Sequence, residues 1–269
     1  CCRIYAMTIV SSPMSRFPMQ DLSLLWNFQH GRCALNGTTI RDMAPSRNEN
    51  GVPFVGTATN GPVFEDDIFG AKGITFDGSN DYVTLDGSDT RFDAGEGAGG
   101  RVTDMYWVNI RLWKDFNICQ WGNNSQRWTQ WAMNTGGGNY KSGWGFGKQA
   151  SGYWRSIRNS NEGITFDDPA GGGVYADFTN KWWCLAVTNP YPDQIKPYIM
   201  GEVAVNVHTD SALDGTATPI TKDSTGKMGS GGDGIMPGAI GFFASWNRAL
   251  SDAEVKLAFN ATKGYFGVQ

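Results

Sequence analysis

Histidine is almost missing from this 269-residue chain: His30 and His208 are the two it has. That leaves little scope for a histidine-rich metal site. Neither histidine lies by a serine or cysteine elbow motif, so a histidine-based nucleophilic mechanism has no sequence support. Cysteine is sparse and unpatterned. Cys1, Cys2, Cys33, Cys119 and Cys184 fit no zinc or haem spacing, and an odd count without a dense framework argues against a disulfide scaffold. No apolar run approaches the roughly 18 residues that cross a bilayer. Positive charge is short as well: 22 Lys+Arg against 26 Asp+Glu give a formal net charge of −4. The basic face of a nucleic-acid binder is therefore not expected.

What is abundant is aromatic. Eleven Trp, 15 Phe and 9 Tyr exceed what a helical bundle needs and suit β-surfaces and contact faces. Thirty-six Gly and 11 Pro imply many turns. Thr103 to Trp113 alternates Met105, Trp107, Asn109 and Arg111 against Tyr106, Val108, Ile110 and Leu112, which predicts a central strand. Further strands are expected over Leu22 to Phe28, on both sides of Asp77-Gly78-Ser79-Asn80-Asp81, over Trp182 to Thr188, Ile195 to Met200 and Val203 to Val207. Between 118 and 160 lie aromatic-rich hairpins: Ile118 to Trp121, Trp128 to Met133, Gly143 to Gly147 and Tyr153 to Ile157. Residues 209–237, rich in Gly, Ser, Thr and Asp, read as the longest irregular loop. Cys119 and Cys184 fall inside strands, where a buried thiol behaves as a small hydrophobe.

One helix stands out. Ile240 to Trp246 is a strand with apolar bulk on both faces, and it runs into Leu250-Ser251-Asp252-Ala253-Glu254-Val255. Ser251 and Glu254 have capping-box spacing, and Leu250 and Val255 can form the accompanying hydrophobic staple. The helix is predicted from Asp252 to about Phe259 or Asn260, stopping before Gly264.

The ordered set of motifs resembles a family. Leu25-Trp26-Asn27-Phe28 with Gly31, then Thr38-Thr39-Ile40-Arg41-Asp42, then Phe69 to Gly78 with Asp81-Tyr82-Val83 come first. Trp183 to Thr188, Tyr198 to Glu202 and Trp246 to Ser251 follow. Together they are similar to laminin-G-like, or concanavalin A-like, jelly-roll domains, found in lectins, pentraxins, glucanases and many adhesive or viral surface proteins. The resemblance spans residues 22–266. It implies an all-β, two-sheet antiparallel jelly-roll sandwich with one short C-terminal helix. Residues 21–269 are then the domain and residues 1–20 an extended N-terminal arm. Phe242 stands where many relatives carry an acidic residue, which removes a carboxylate from the usual calcium site.

Candidate chemistry follows from residue types. Glycoside hydrolysis needs two carboxylates facing one cleft. The acidic strand run of the glucanase branch is missing, and the consecutive Glu65-Asp66-Asp67 points to alternate faces or lies in a solvated loop. The chain is therefore expected to have no catalytic residues and no enzyme activity, a diverged glycosidase being the least favoured reading. No cofactor is required. Calcium is the candidate metal, with Asp77, Asn80 and Asp81 as its ligands, although Asp77-Gly78 and Asn80-Asp81 read more readily as ordinary turn residues. For glycans the candidates are Trp121, Trp128, Trp131, Trp144, Tyr153 and Trp154, rings able to stack on sugar faces.

The expected function is a non-enzymatic binding and assembly module displayed on a virion, as a capsid decoration or tail protein, or on a cell surface. Ile4, Tyr5, Ile9, Val10 and Phe17 of the arm would dock it to neighbouring structural subunits in an oligomer or larger assembly. Glycans are the other expected partner, with no nucleic acid and no membrane span. The alternative is a secreted or lipid-anchored, calcium-dependent lectin-like domain. Cys1-Cys2-Arg3 reads as a processed or incompletely defined terminus, with an acylated Cys1 as its other reading.

Overall fold

Alternation of apolar and polar residues is converted into two stacked sheets. The computed structural model describes residues 13–29, 39–41, 55–66, 72–85, 102–112, 116–123, 126–133, 154–158, 162–166, 179–191, 194–201, 205–207, 226–231 and 234–268. In chain order the first strands are β1 (Leu22–Asn27), β2 (Thr39–Arg41), β3 (Val55–Thr59), β4 (Val63–Asp66), β5 (Lys72–Asp77) and β6 (Tyr82–Leu85). Next come β7 (Val102–Ile110), β8 (Phe116–Asn123), β9 (Gln126–Met133), β10 (Trp154–Arg158), β11 (Glu162–Phe166) and β12 (Trp182–Tyr191). The last are β13 (Gln194–Met200), β14 (Val205–Val207), β15 (Gly226–Met228), β16 (Ser230–Gly231), β17 (Gly234–Ile235) and β18 (Pro237–Trp246), followed by α1 (Asp252–Thr262).

The first sheet has eight strands in the order β14-β13-β12-β7-β18-β5-β4, with β1 also on β18. The second has ten, in the order β11-β10-β9-β8-β15-β6-β3-β2, with β16 and β17 beside β8. Among the described residues pairing is antiparallel apart from two parallel contacts, Ile235 with Asn117 and the isolated bridge of Ile110 with Thr179. The expected all-β sandwich with one short C-terminal helix is what forms.

β18 is the spine, with all ten of its residues buried because both of its faces are covered. On one face Phe242, Ala244 and Trp246 join Met105, Trp107, Cys184 and Tyr198 beneath Val255, Ala258 and Phe259 of α1. On the other, Phe243 stacks on Tyr106 at 4.6 Å and meets Trp26 edge-on at 6.0 Å. The second sheet closes over that face. The Trp26 indole lies so close to Gly56 of β3 that a methyl at Gly56 would run into it. Phe76 lies just as close over Gly229, whose φ is +80°.

The helix has the predicted start. Ser251 Oγ accepts from Glu254 N–H, and Glu254 answers by accepting from Ser251 N–H at 2.9 Å. It stops before Gly264 as expected but runs a little further, to Thr262, and the chain continues as a 3-10 turn over Lys263–Phe266. Phe259, Ala261, Thr262 and Phe266 are buried, so packing carries the helix past Asn260 and the turn through Gly264.

Three further expectations change. Residues 13–20 are no extended arm: Pro13–Arg16 form a 3-10 turn, and Phe17 is 4% exposed. Its ring packs on Phe242 and Trp246, with centroids 5.6 and 5.4 Å away. Within the expected loop 209–237, four short strand segments form at 226–228, 230–231, 234–235 and from Pro237 onward, each held by pairing to a neighbour. Glu65 and Asp66 lie not in a loop but in β4, opposite Gly73 and Lys72.

Candidate functional site

The aromatic hairpins become the outer strands of the second sheet, β8, β9, β10 and β11, joined in sequence by antiparallel ladders. Trp121 lies in β8, Trp128 and Trp131 in β9 and Trp154 in β10. Trp131 stands opposite Cys119 on one side and Ser156 on the other, and Trp154 stands opposite Phe166. Trp144 and Tyr153 fall outside the described residues.

The β8–β9 ladder is irregular twice. Asn117 pairs with Ala132 but Cys119 pairs with Trp131, so Ile118 is an extra residue in β8. Its carbonyl oxygen accepts from Gly229 N–H at 2.7 Å, which fastens the bulge to the segment after β15. The second irregularity lies between the Gln120–Gln130 and Gly122–Arg127 pairs, leaving Trp121 to oppose both Trp128 and Thr129. Such two-against-one bulges twist a sheet edge locally and re-aim its side chains. Two of the candidate tryptophans therefore sit at a bulge.

The candidate metal turn joins β5 to β6. Asp77 Oδ1 accepts from Ser79 N–H at 2.7 Å and Asn80 N–H at 3.1 Å, and Asp81 Oδ2 accepts from Asp77 N–H at 3.0 Å. Gly78 supplies the positive φ of 77° that the turn needs. Burial raises the Asp81 carboxyl above its usual range, only partly countered by the Asp77 N–H bond. These carboxylates are engaged in shaping their own backbone, as turn aspartates do. Among the described residues, no group of three or more His, Cys, Asp or Glu is placed to hold a metal ion.

The candidate docking residues divide. Ile4, Tyr5, Ile9 and Val10 lie outside the described residues, whereas Phe17 is part of the domain's own core.

Two groupings escaped the sequence reading. Asp104 and Tyr106 of β7 and Cys119 of β8 lie fully buried between the sheets. Burial pushes both the Tyr106 hydroxyl and the Cys119 thiol up, and the Asp104 carboxylate adds to each. Cys119 is consequently an unreactive thiol, as the strand reading anticipated. The second grouping is a row across the second sheet. Thr57 of β3 pairs with Thr84 of β6, and Thr84 pairs with Lys227 of β15, whose ammonium lies 4.8 Å over the Tyr82 ring. Lys227 was hidden because its strand sits in a polar stretch. Its one signal was alternation, exposed Lys227 between buried Gly226 and Met228.

No protein-family model and no curated protein matches the sequence. Solved structures do resemble the fold. The binding domain of botulinum neurotoxin serotype D/C superposes with a TM-score of 0.60 at 13% identity, over 90% of this chain and 52% of that one. A botulinum neurotoxin type C structure, from a study of cell entry through two ganglioside molecules, gives 0.60, 13%, 90% and 52%. A Trypanosoma rangeli sialidase mutant displaying trans-sialidase activity gives 0.56 at 12% identity, over 94% of this chain and 34% of that one. The chain thus spans about half of the toxin chains and a third of the sialidase. At these identities the likeness establishes the fold alone, a β-sandwich.

Proposed function

We propose that this chain is a glycan-binding module without catalytic activity. It is carried on a virion or cell surface and joined to neighbouring subunits through residues 1–12. The observation that carries the reading is the meeting of Trp121 and Trp128 at a bulge between two strands; Trp131, opposite buried Cys119, shares the inner face of the sheet. Aromatic rings are what a sugar face stacks on. Structural neighbours add support: the type C toxin structure is described by an interaction with two ganglioside molecules, and the sialidase acts on sugars. The described carboxylates lend hydrolysis little. Asp104 is buried inside the sandwich, away from solvent, while Glu65 and Asp66 occupy a strand at the edge of the first sheet.

A glycan array probed with the purified chain tests the proposal. Binding is expected for a subset of oligosaccharides and is expected to weaken at least about tenfold in Trp121→Ala or Trp128→Ala, within the range of a hot-spot aromatic. The same array should show no cleavage products. Release of sugar would overturn the non-enzymatic part, and a blank array for a folded chain would overturn glycan binding. Surface docking has its own assay. A chain lacking residues 1–12 should keep its fold and glycan binding but lose co-assembly with the particle, since Phe17 is the first core residue among the described ones.

A further inference from the structure

On the face of the second sheet turned away from the first, two threonines and a lysine stand in one row. Ala58, Val83 and Met228 are buried in the sandwich. Their alternates Thr57 and Lys227 are exposed, and Thr84 is half-buried. The ladder sets these three side by side on β3, β6 and β15, because partners across an antiparallel pair share a face. Two strand spacings separate the outer pair, about 10 Å. The backbone row continues from Lys227 to Gln120 of β8 and Gln130 of β9, which brings it to the aromatic strands. The Tyr82 ring, 4.8 Å below, is the partner the structure gives the Lys227 ammonium among the described residues. A ring holds a cation in place while leaving its charge unneutralised. The result is a positioned positive charge in a row with Thr84 and, one strand further, Thr57, on a chain of net charge −4.

We infer that the row Thr57–Thr84–Lys227 receives the carboxylate of an acidic sugar, so that the module selects carboxylated over neutral glycans. This rests on the glycan-binding reading and names the class of glycan. A carboxylate has two coplanar oxygens, one for the ammonium and one for the Thr84 hydroxyl, and it can lie flat on the sheet. A sulfate ester carries three such oxygens on a tetrahedral centre, so the sulfated form is the comparison that tests the choice of carboxylate.

The test titrates the whole chain with one oligosaccharide core in neutral, carboxylated and sulfated forms. The carboxylated form should bind about tenfold more tightly than the neutral one, as one charge-assisted hydrogen bond allows. Lys227→Met should erase that preference while leaving neutral-core binding unchanged, and Thr84→Val should reduce it. A thermal melt confirms that both variants fold. Equal binding of neutral and carboxylated cores, or a preference that survives Lys227→Met, overturns the inference while glycan binding stands. Equal binding of the sulfated form overturns the choice of carboxylate. Failure of every form to bind overturns glycan binding itself, and the inference with it.

Discussion

The indole Nε1 of Trp107 donates to Thr262 Oγ1 at 2.8 Å, and both groups are buried. That bond ties the last turn of α1 to the middle of β7, next to the spine strand. Phe266 and Phe259 then stack on the same indole, with centroids 4.4 and 5.5 Å away. Thr262 is committed to this arrangement, since its hydroxyl also donates to the Ala258 carbonyl oxygen at 2.9 Å. Thr262→Val keeps the shape but leaves the Trp107 N–H buried with no acceptor. Its expected cost is about 1–3 kcal/mol, measured by urea unfolding, with Thr262→Ser retaining most of the wild-type stability. Equal stabilities of Val and Ser variants would show that the bond is not what holds the helix down.

Phe17 is expected to behave as a core residue. It touches two aromatic rings of β18, and Trp246 Nε1 donates to the carbonyl oxygen of the next residue, Pro18, at 2.8 Å. Phe17→Ala should destabilise the domain by about 3–5 kcal/mol, as large-to-small changes at buried aromatics do. Removing residues 1–12 should leave the melting transition in place. The two measurements together locate where arm ends and domain begins.

The Trp26–Gly56 contact is one of the places where the two sheets approach closely. Gly56→Ala places a methyl where the indole and Val83 already sit, and β3 is pinned on both sides by β2 and β6. Overpacking of this kind costs about 1–3 kcal/mol. The paired variant Gly56→Ala with Trp26→Phe should recover part of the loss in a double-mutant cycle. Simple additivity would mean that the indole is not the obstacle.

Much of this was legible from residue patterns, and the misses share a cause. β7, β12, β18 and the capped helix announce themselves because burial on one or two faces forces a period into the sequence. Ser251 and Glu254 are local chemistry, readable at a spacing of three. The 3-10 turn before Phe17, the extension of α1 to Thr262 and the strands at 226–235 carry no such period. Each forms because a distant segment offers a partner: Phe242 and Trp246 for Phe17, Trp107 for Thr262, β6 and β8 for Lys227 and Met228. The same holds for the candidate site. Tryptophan abundance marked the hairpins, but the bulge at Trp121 and the cation above Tyr82 exist only once strands far apart in sequence are in register.

Glu254 sets an acid limit on the clasp. Arg248 grips its carboxylate in a two-point fork, Nη1 to Oε2 at 3.0 Å and Nη2 to Oε1 at 2.7 Å, and Ser251 N–H adds a third donor. The Arg248 bonds are the largest influence and, against some desolvation, lower the carboxyl from 4.5 to about 2. A carboxyl lowered on folding contributes stability above its unfolded value and loses it as the pH falls toward the folded one. The window is therefore about pH 5 to 2. The side chains keep 21% and 34% of their exposure, so solvent screening trims the contribution to about 1 kcal/mol. Glu254→Gln keeps the capping-box geometry and removes only the charge. Burial raises Asp81 and shifts the acid limb the opposite way, so the informative quantity is the difference between wild type and Glu254→Gln. That difference in unfolding free energy should be near 1 kcal/mol at pH 7, shrink through pH 4 and vanish toward pH 2, and it should be smaller in high salt. A pH-independent difference would mean that Glu254 acts through its cap alone and that the Arg248 fork contributes nothing.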